Sequence, residues 1–114
     1  MAAVYVSNLV INAGVDFTQT FTLEGSFTSY PLDLSTYTVE SQMRKWSGSS
    51  SATTFTCTIL EPESAGKIQL SLTPEQTVNL KPGRYIYDVV ITDEFDIKQR
   101  VVEGMVLVTE GVTR

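Results

Sequence analysis

Leu80-Lys81-Pro82-Gly83-Arg84-Tyr85-Ile86-Tyr87-Asp88-Val89-Val90-Ile91-Thr92-Asp93 joins a turn signal to the clearest strand in the chain. Successive side chains of a strand point to opposite faces. Tyr85, Tyr87, Val89 and Ile91 therefore share one face, and Ile86, Asp88, Val90 and Thr92 the other. The apolar first set predicts a core face. Leu-x-Pro-Gly-x-Tyr ahead of such a strand matches a tyrosine corner, in which the tyrosine packs inward and its hydroxyl bonds backbone a few residues upstream. Leu80, Gly83, Tyr85 and Tyr87 are thus the expected fold-defining residues, and the strand belongs in the middle of a Greek-key β-sandwich.

Working outward, the residues before and after repeat the pattern. Val4–Ile11 is a mostly apolar run and reads as a first strand, closed by the turn residues Asn12-Ala13-Gly14. It alternates poorly, which offers either pairing within its own sandwich or docking on a neighbouring subunit. From Asp16 to Glu24, Phe17, Gln19, Phe21 and Leu23 oppose three threonines, the mark of a half-buried antiparallel strand. Gly25–Thr36 reads as a loop tacked down by Leu32 and Leu34. Thr38–Trp46 is a strand with Val39, Ser41 and Met43 inward, and Ser47–Ala52 a flexible hairpin tip. Thr53–Leu60 returns as one strand with Phe55, Cys57 and Ile59 inward. A turn over Glu61–Gly66 leads to a short strand carrying Ile68, Leu70 and Leu72. Thr73-Pro74-Glu75-Gln76 predicts a brief helical turn with Thr73 as N-cap and Gln76 closing a capping box. After the tyrosine-corner strand, Asp93–Asp96 is a hairpin turn. Ile97–Val108 closes the chain, with Gly104 marking a bulge or a close backbone approach. About seven strands with turn signals between them predict an all-β sandwich, one domain over residues 1–114.

Composition supports that reading and narrows the function. The chain has 114 residues, 42% of them hydrophobic and 18% charged, with a net charge of −5. That length can bury about two-thirds of the unfolded surface without staples. A negative chain is a poor match for a nucleic acid backbone. The single cysteine forbids an internal disulfide and fits a reducing compartment. Met1-Ala2-Ala3-Val4-Tyr5 lacks the basic start and apolar run of a signal peptide, and no stretch reaches the ~18 apolar residues of a membrane span. A soluble protein made in a cytoplasm is expected, with no membrane and no nucleic acid among its partners.

Residues that carry chemistry are few. No histidine occurs, which removes Ser-His-Asp and Cys-His systems and the commonest zinc ligand. Cys57 lies among inward residues and reads as an inert thiol. Asp88, Asp93, Glu94 and Asp96 supply oxygen ligands of the kind calcium uses, but without EF-hand spacing, so no metal and no cofactor are expected. No catalytic residues are assigned, and an enzyme is not expected. The candidate interface consists of Trp46, Arg44, Tyr30 and Phe95. Trp46 shares parity with Arg44 and borders the serine tip, while Tyr30 and Phe95 lie in loops.

From Asp16 onward the sequence resembles a family of immunoglobulin-like domains in structural proteins of tailed bacteriophages, cyanophages included. The resemblance is carried by Asp16 and its Phe/Thr strand, Pro31-Leu32-Asp33-Leu34-Ser35-Thr36-Tyr37-Thr38-Val39 and Gln42-Met43-Arg44-Lys45. It continues in Gly66-Lys67-Ile68-Gln69-Leu70-Ser71-Leu72-Thr73, Gln76-Thr77, Leu80, Gly83-x-Tyr85-x-Tyr87-Asp88-Val89 and Arg100-Val101-Val102-Glu103-Gly104, and ends at Val112-Thr113-Arg114. The family pattern has Gly where this chain has Thr36, which leaves the local turn type open. The resemblance implies an immunoglobulin-like virion structural or accessory protein, located in the particle and acting through contacts with other phage structural proteins or with itself. In that pattern Asp88 bonds a neighbouring strand. A receptor- or carbohydrate-binding β-sandwich module, stacking ligands on Trp46, Tyr30 and Phe95, is the alternative.

Overall fold

A computed structural model describes residues 5–24 and 32–112. Tyr30, the loop before it, and Thr113-Arg114 of the family pattern lie outside the described residues. Strands β1 (Tyr5–Val6), β2 (Leu9–Asn12), β3 (Phe17–Thr22), β4 (Thr38–Arg44), β5 (Thr53–Thr54), β6 (Thr56–Ile59), β7 (Lys67–Leu72), β8 (Gly83–Thr92) and β9 (Lys98–Thr109) form two sheets. The larger has the order β1-β9-β8-β4-β5, with β2 also on β9, and the smaller has the order β3-β7-β6. The only α-helix among the described residues is α1, Pro74–Thr77, beside a single 3-10 turn at Glu63–Ala65. The fold is all-β.

The sheets face each other across one core. Phe17, Phe21, Ile68, Leu70 and Leu72 from the smaller sheet are buried with Met43, Tyr87, Val89, Ile91, Val102, Val106 and Val108 from the larger. Fully burying one such aliphatic side chain stabilises the fold by roughly 1.5–3 kcal/mol. Phe55 bridges the layers, its ring centroid 5.9 Å from that of Phe17 and 6.2 Å from that of Tyr87. Ser41 is the polar residue on the inner face of β4, and its hydroxyl donates to the Asp88 carbonyl at 2.6 Å.

Two of the expected strands are each broken into two. Thr53–Leu60 was expected to be one strand, but it changes sheets at Phe55. β5 pairs β4 through Met43↔Thr53, and β6 pairs β7 through Thr56↔Ser71. The Phe55 amide still donates to the Ser41 carbonyl at 3.0 Å, so the crossing happens within one residue. Alternation could not reveal it, because Phe55, Cys57 and Ile59 turn to the shared core from either sheet.

The opening run Val4–Ile11, of which Val4 lies outside the described residues, is likewise interrupted at Ser7-Asn8, although both halves pair parallel to β9 in one register, Val6↔Glu103 and Leu9↔Val106. At the break the Met105 amide donates to Asn8 Oδ1 at 3.0 Å, so a side chain replaces a backbone acceptor. A β-carbon on Gly104 would stand 2.2 Å from the Ser7 carbonyl oxygen. Gly104 therefore permits a close backbone approach, and Tyr87, its partner on β8, donates to the same carbonyl at 2.6 Å. The irregular register of β8–β9 falls instead between Val89 and Val90, where Val101 is the extra residue and both Val101 and Val102 turn inward.

Local signals act as expected elsewhere. Thr73 caps α1, with Gln76 Oε1 accepting from the Thr73 amide at 2.8 Å to close the box. Leu34 is fully buried, and its amide donates to the Glu63 carbonyl at 3.0 Å. Asp93 Oδ1 accepts from the Phe95 and Ile97 amides at 2.8 and 3.0 Å and so shapes the last hairpin.

Candidate functional site

Inward side chains of the larger sheet are consumed by the core, so any surface chemistry falls to the alternate positions. On β8 these are Arg84, Ile86, Asp88 and Val90. Register places Arg84 beside Leu107, Ile86 beside Met105, Asp88 beside Glu103 and Val90 beside Arg100 on β9. Across β8, Arg44 pairs with Ile86 and Gln42 with Asp88. At the other margin, Val10 lies beside Leu107 and Val6 beside Glu103. The outer face is thus a grid of strands and rows about 4.8 Å and about 6.8 Å apart.

That grid holds a contiguous apolar block. Val6, Val10, Met105, Leu107 and Ile86 are 71, 56, 49, 45 and 40% exposed, values that single out residues a strand would normally bury. Isolated exposed aliphatics are ordinary, whereas these five lie on neighbouring strands of one face. A shallow depression runs across it, lined by Val6, Arg44, Ile86, Asp88, Glu103 and Met105. Its charges are ordered. Asp88 pairs with Arg100 at 3.2 Å, a solvent-exposed pair worth at most about 1 kcal/mol. The pair joins β8 to β9. Glu103, opposite Asp88, has no ion pair among the described residues.

The sequence-predicted interface residues do not assemble into one site. Arg44 stands at the margin of the grid, and its guanidinium donates to the Ser49 carbonyl and, at 3.0 Å, to Gln42 Oε1. Its hydrogen bonds thus brace the serine-rich hairpin. Trp46 is exposed just beyond β4, with its indole nitrogen 3.4 Å from where a β-carbon on Gly48 would stand. Phe95 is exposed too, but it caps the β8–β9 hairpin beyond Thr92↔Thr38, whereas Trp46 follows Arg44↔Ile86 at the other end. Trp46 and Phe95 occupy opposite ends of the sheet. The face that does assemble was signalled by runs apolar on both parities, in Val4–Ile11 and in Val101-Val102-Glu103-Gly104-Met105-Val106-Leu107-Val108. Sidedness explains those runs: a core-facing set and a surface-facing set occupy the same strand.

No family model and no curated protein matches the chain. Several solved structures resemble it in shape, two of them parts of larger proteins. An internalin-like protein of Listeria monocytogenes aligns with 95% of this chain and 28% of its own at 19% identity and a TM-score of 0.46. A family 123 glycoside hydrolase from Clostridium perfringens aligns over 96% and 23% respectively, at 15% identity and a TM-score of 0.56. This chain therefore spans about a quarter of either protein. The second likeness is one of fold alone.

Reactive groups stay apart. Asp88 sits mid-strand, while Asp93 is committed to its hairpin amides, so the acidic cluster of the sequence is split. Among the described residues no group of three His, Cys, Asp or Glu side chains could hold a metal ion. Burial raises the pKa of the half-buried Cys57 thiol, with the Glu40 carboxylate adding to the shift and a backbone hydrogen bond at Ser41 opposing it. Raised in this way, the thiol is a poor nucleophile at neutral pH.

Proposed function

We propose that this chain is a non-enzymatic structural or accessory domain of a tailed-bacteriophage particle that acts through protein–protein contact. The carrying observation is the exposed apolar block of Val6, Val10, Ile86, Met105 and Leu107 on the outer face. Apolar surface at that density gains free energy by leaving water, which a protein partner provides and a small polar substrate does not. The family resemblance in Gly83-x-Tyr85-x-Tyr87-Asp88 and its companions supplies the phage context.

Within this reading the architecture is an immunoglobulin-like Greek-key sandwich with a tyrosine corner. Support comes from the strand orders β2-β9-β8-β4 and β3-β7-β6 and from the Tyr85 hydroxyl, which donates 2.7 Å to the Lys81 carbonyl four residues upstream. A carbohydrate-binding module would need its aromatic rings on one surface, and Trp46 and Phe95 stand at opposite ends. Mass spectrometry of purified particles of the encoding phage tests the assignment. The chain is expected among the virion proteins, and its consistent absence would remove the phage reading.

A further inference from the structure

We propose that a second copy of this chain docks edge to edge on β3, the two β3 strands pairing antiparallel about Gln19 so that the smaller sheets fuse into one. The inference stands on this strand edge and uses neither the outer apolar face nor the phage context.

A bare sheet edge is a template for another strand, and folded proteins blunt such edges with short strands, breaks, proline or lysine. Among the described residues the edges of the larger sheet are blunted in this way. β1 and β2 span two and four residues with the break at Ser7-Asn8 between them, and β5 spans two. At the far edge of the smaller sheet β6 has four residues. β3 is different. Its six residues, Phe17-Thr18-Gln19-Thr20-Phe21-Thr22, carry no charge and no proline. They pair β7 from Phe17↔Leu72 to Thr22↔Lys67 without a shift, and no strand among the described residues pairs their other side.

Alternation identifies the backbone groups on that open side. The Leu23 amide donates to the Gly66 carbonyl at 2.8 Å, so Phe21, Gln19 and Phe17 also turn their backbone toward β7. The Leu60 amide on the Lys67 carbonyl at 3.0 Å gives the same parity from the β6 side. Thr18, Thr20 and Thr22 therefore aim their N–H and C=O groups outward. The Gln19 side-chain amide reaches the outward Thr20 carbonyl, donating at 3.3 Å.

The occupant follows from the sequence, because Phe17–Phe21 reads the same in both directions about Gln19. A two-fold contact requires each residue to meet a suitable image. Turned antiparallel about Gln19, Thr18 faces the copy's Thr20, Phe17 faces its Phe21, and Gln19 faces Gln19. Thr18 and Thr20 then exchange both backbone bonds, and core-facing residues stay opposite core-facing residues. The flanking carboxylates of Asp16 and Glu24 fall opposite Thr22 and Gly14, so no charge meets its like directly across the ladder. Centring on Thr20 instead would set Asp16 against Glu24, and centring on Thr18 would set Phe17 against Gln19. The axis also accounts for a polar, partly buried Gln19 on the core face of β3. Its carboxamide stands beside its image across a non-hydrogen-bonded pair, with β-carbons about 5 Å apart, where the two amides bond each other.

Sedimentation velocity on the full chain over a concentration series should show a monomer–dimer equilibrium. Thr20→Pro removes an outward N–H and leaves the β3–β7 ladder whole. It should weaken the dimer by at least about tenfold with the circular dichroism unchanged. Gln19→Lys and Gln19→Glu should each weaken it by at least about tenfold, since like charges then meet at the axis. An equimolar mixture of those two variants should recover a dimer within about threefold of the parent. A chain that stays monomeric at every concentration overturns the proposal. So does a dimer unmoved by Thr20→Pro, or a mixture no more dimeric than its components. If the Gln19 variants fail to fold, Thr20→Pro decides alone, and if Thr20→Pro fails to fold, the mixture decides. Absence of the chain from phage particles bears on the phage context and leaves this equilibrium untouched.

Discussion

Tyr85 and Tyr87 sit two residues apart on β8, yet their hydroxyls work in different surroundings. Tyr85 was expected to bond backbone from an inward position. It is only half-buried, and its bond to Lys81 lies at the surface, where water can replace it. Tyr87 is buried, and it bonds the Ser7 carbonyl across the space left open by Gly104. Removing a hydroxyl costs most where its partner stays shielded from water. Tyr87→Phe should therefore lower stability by about 1–3 kcal/mol and Tyr85→Phe by about 1 kcal/mol or less, read from urea midpoints. The reverse ranking would refute this account. Thr77 makes the same point in a residue that drew no attention in the sequence beyond its place in the family pattern. It is fully buried, donates to the Val15 carbonyl at 2.8 Å and accepts from the Gly14 amide at 3.0 Å, tying α1 to the β2–β3 turn. Cys57 gives a pH prediction. Its folded pKa lies above the unfolded value, so its contribution is present below the unfolded pKa and lost as pH rises through the folded one. The stability advantage over Cys57→Ala should narrow as pH rises beyond the ordinary thiol pKa of about 8.5, where the unfolded thiol ionises before the folded one.

At the scale of elements, what could be read was what local chemistry decides. The alternation of Phe17 to Leu23 and of Tyr85 to Ile91 follows from one face meeting the core. The cap of α1 needs only Thr73, Pro74 and Gln76. The change of sheet at Phe55 was not legible, because parity is blind to which sheet a core-facing residue belongs to. The break at Ser7-Asn8 was hidden for a related reason: it depends on Gly104, beside Ser7 in register but ninety-seven residues away along the chain. Gly104→Ala tests that dependence. Its β-carbon would meet backbone rather than a movable side chain, so β1 must lift away from β9, at a cost of about 1–3 kcal/mol. Hydrogen exchange should quicken first at the Ser7 amide, which donates to the Glu103 carbonyl at 3.0 Å. Unchanged protection there would show that the close approach is not needed.

For the whole molecule, the candidate site was less legible than the fold. Trp46, Arg44, Tyr30 and Phe95 stand out in the sequence as side chains near turns, and the strand register separates Trp46 from Phe95. The outer face is written as aliphatic residues at surface parity, a pattern that a buried strand would produce equally well. Only the sheet order distinguishes them, by leaving this side of β9 without a covering layer among the described residues. A paired measurement exposes the difference. Met105→Lys should change stability by no more than about 0.5 kcal/mol, whereas Ile91→Ala on the opposite face should cost about 2–5 kcal/mol. Comparable losses would mean that the outer face is covered within the single chain.

The pairing of β1 and β2 with β9 is parallel, so the chain enters and leaves the larger sheet at opposite ends of the same ladder. A load applied near Tyr5 and near Thr109 therefore slides the two strands past each other. The bonds from Ser7 to Glu103 and from Ala13 to Thr109, with those between them, must yield together rather than one at a time. Forced unfolding is governed by the barrier to leaving the native state, and shear raises that barrier. The consequence is mechanical: stretched between these points, the domain should resist as a clamp, and in single-molecule pulling it should rupture at higher force than when held across the β8–β9 hairpin.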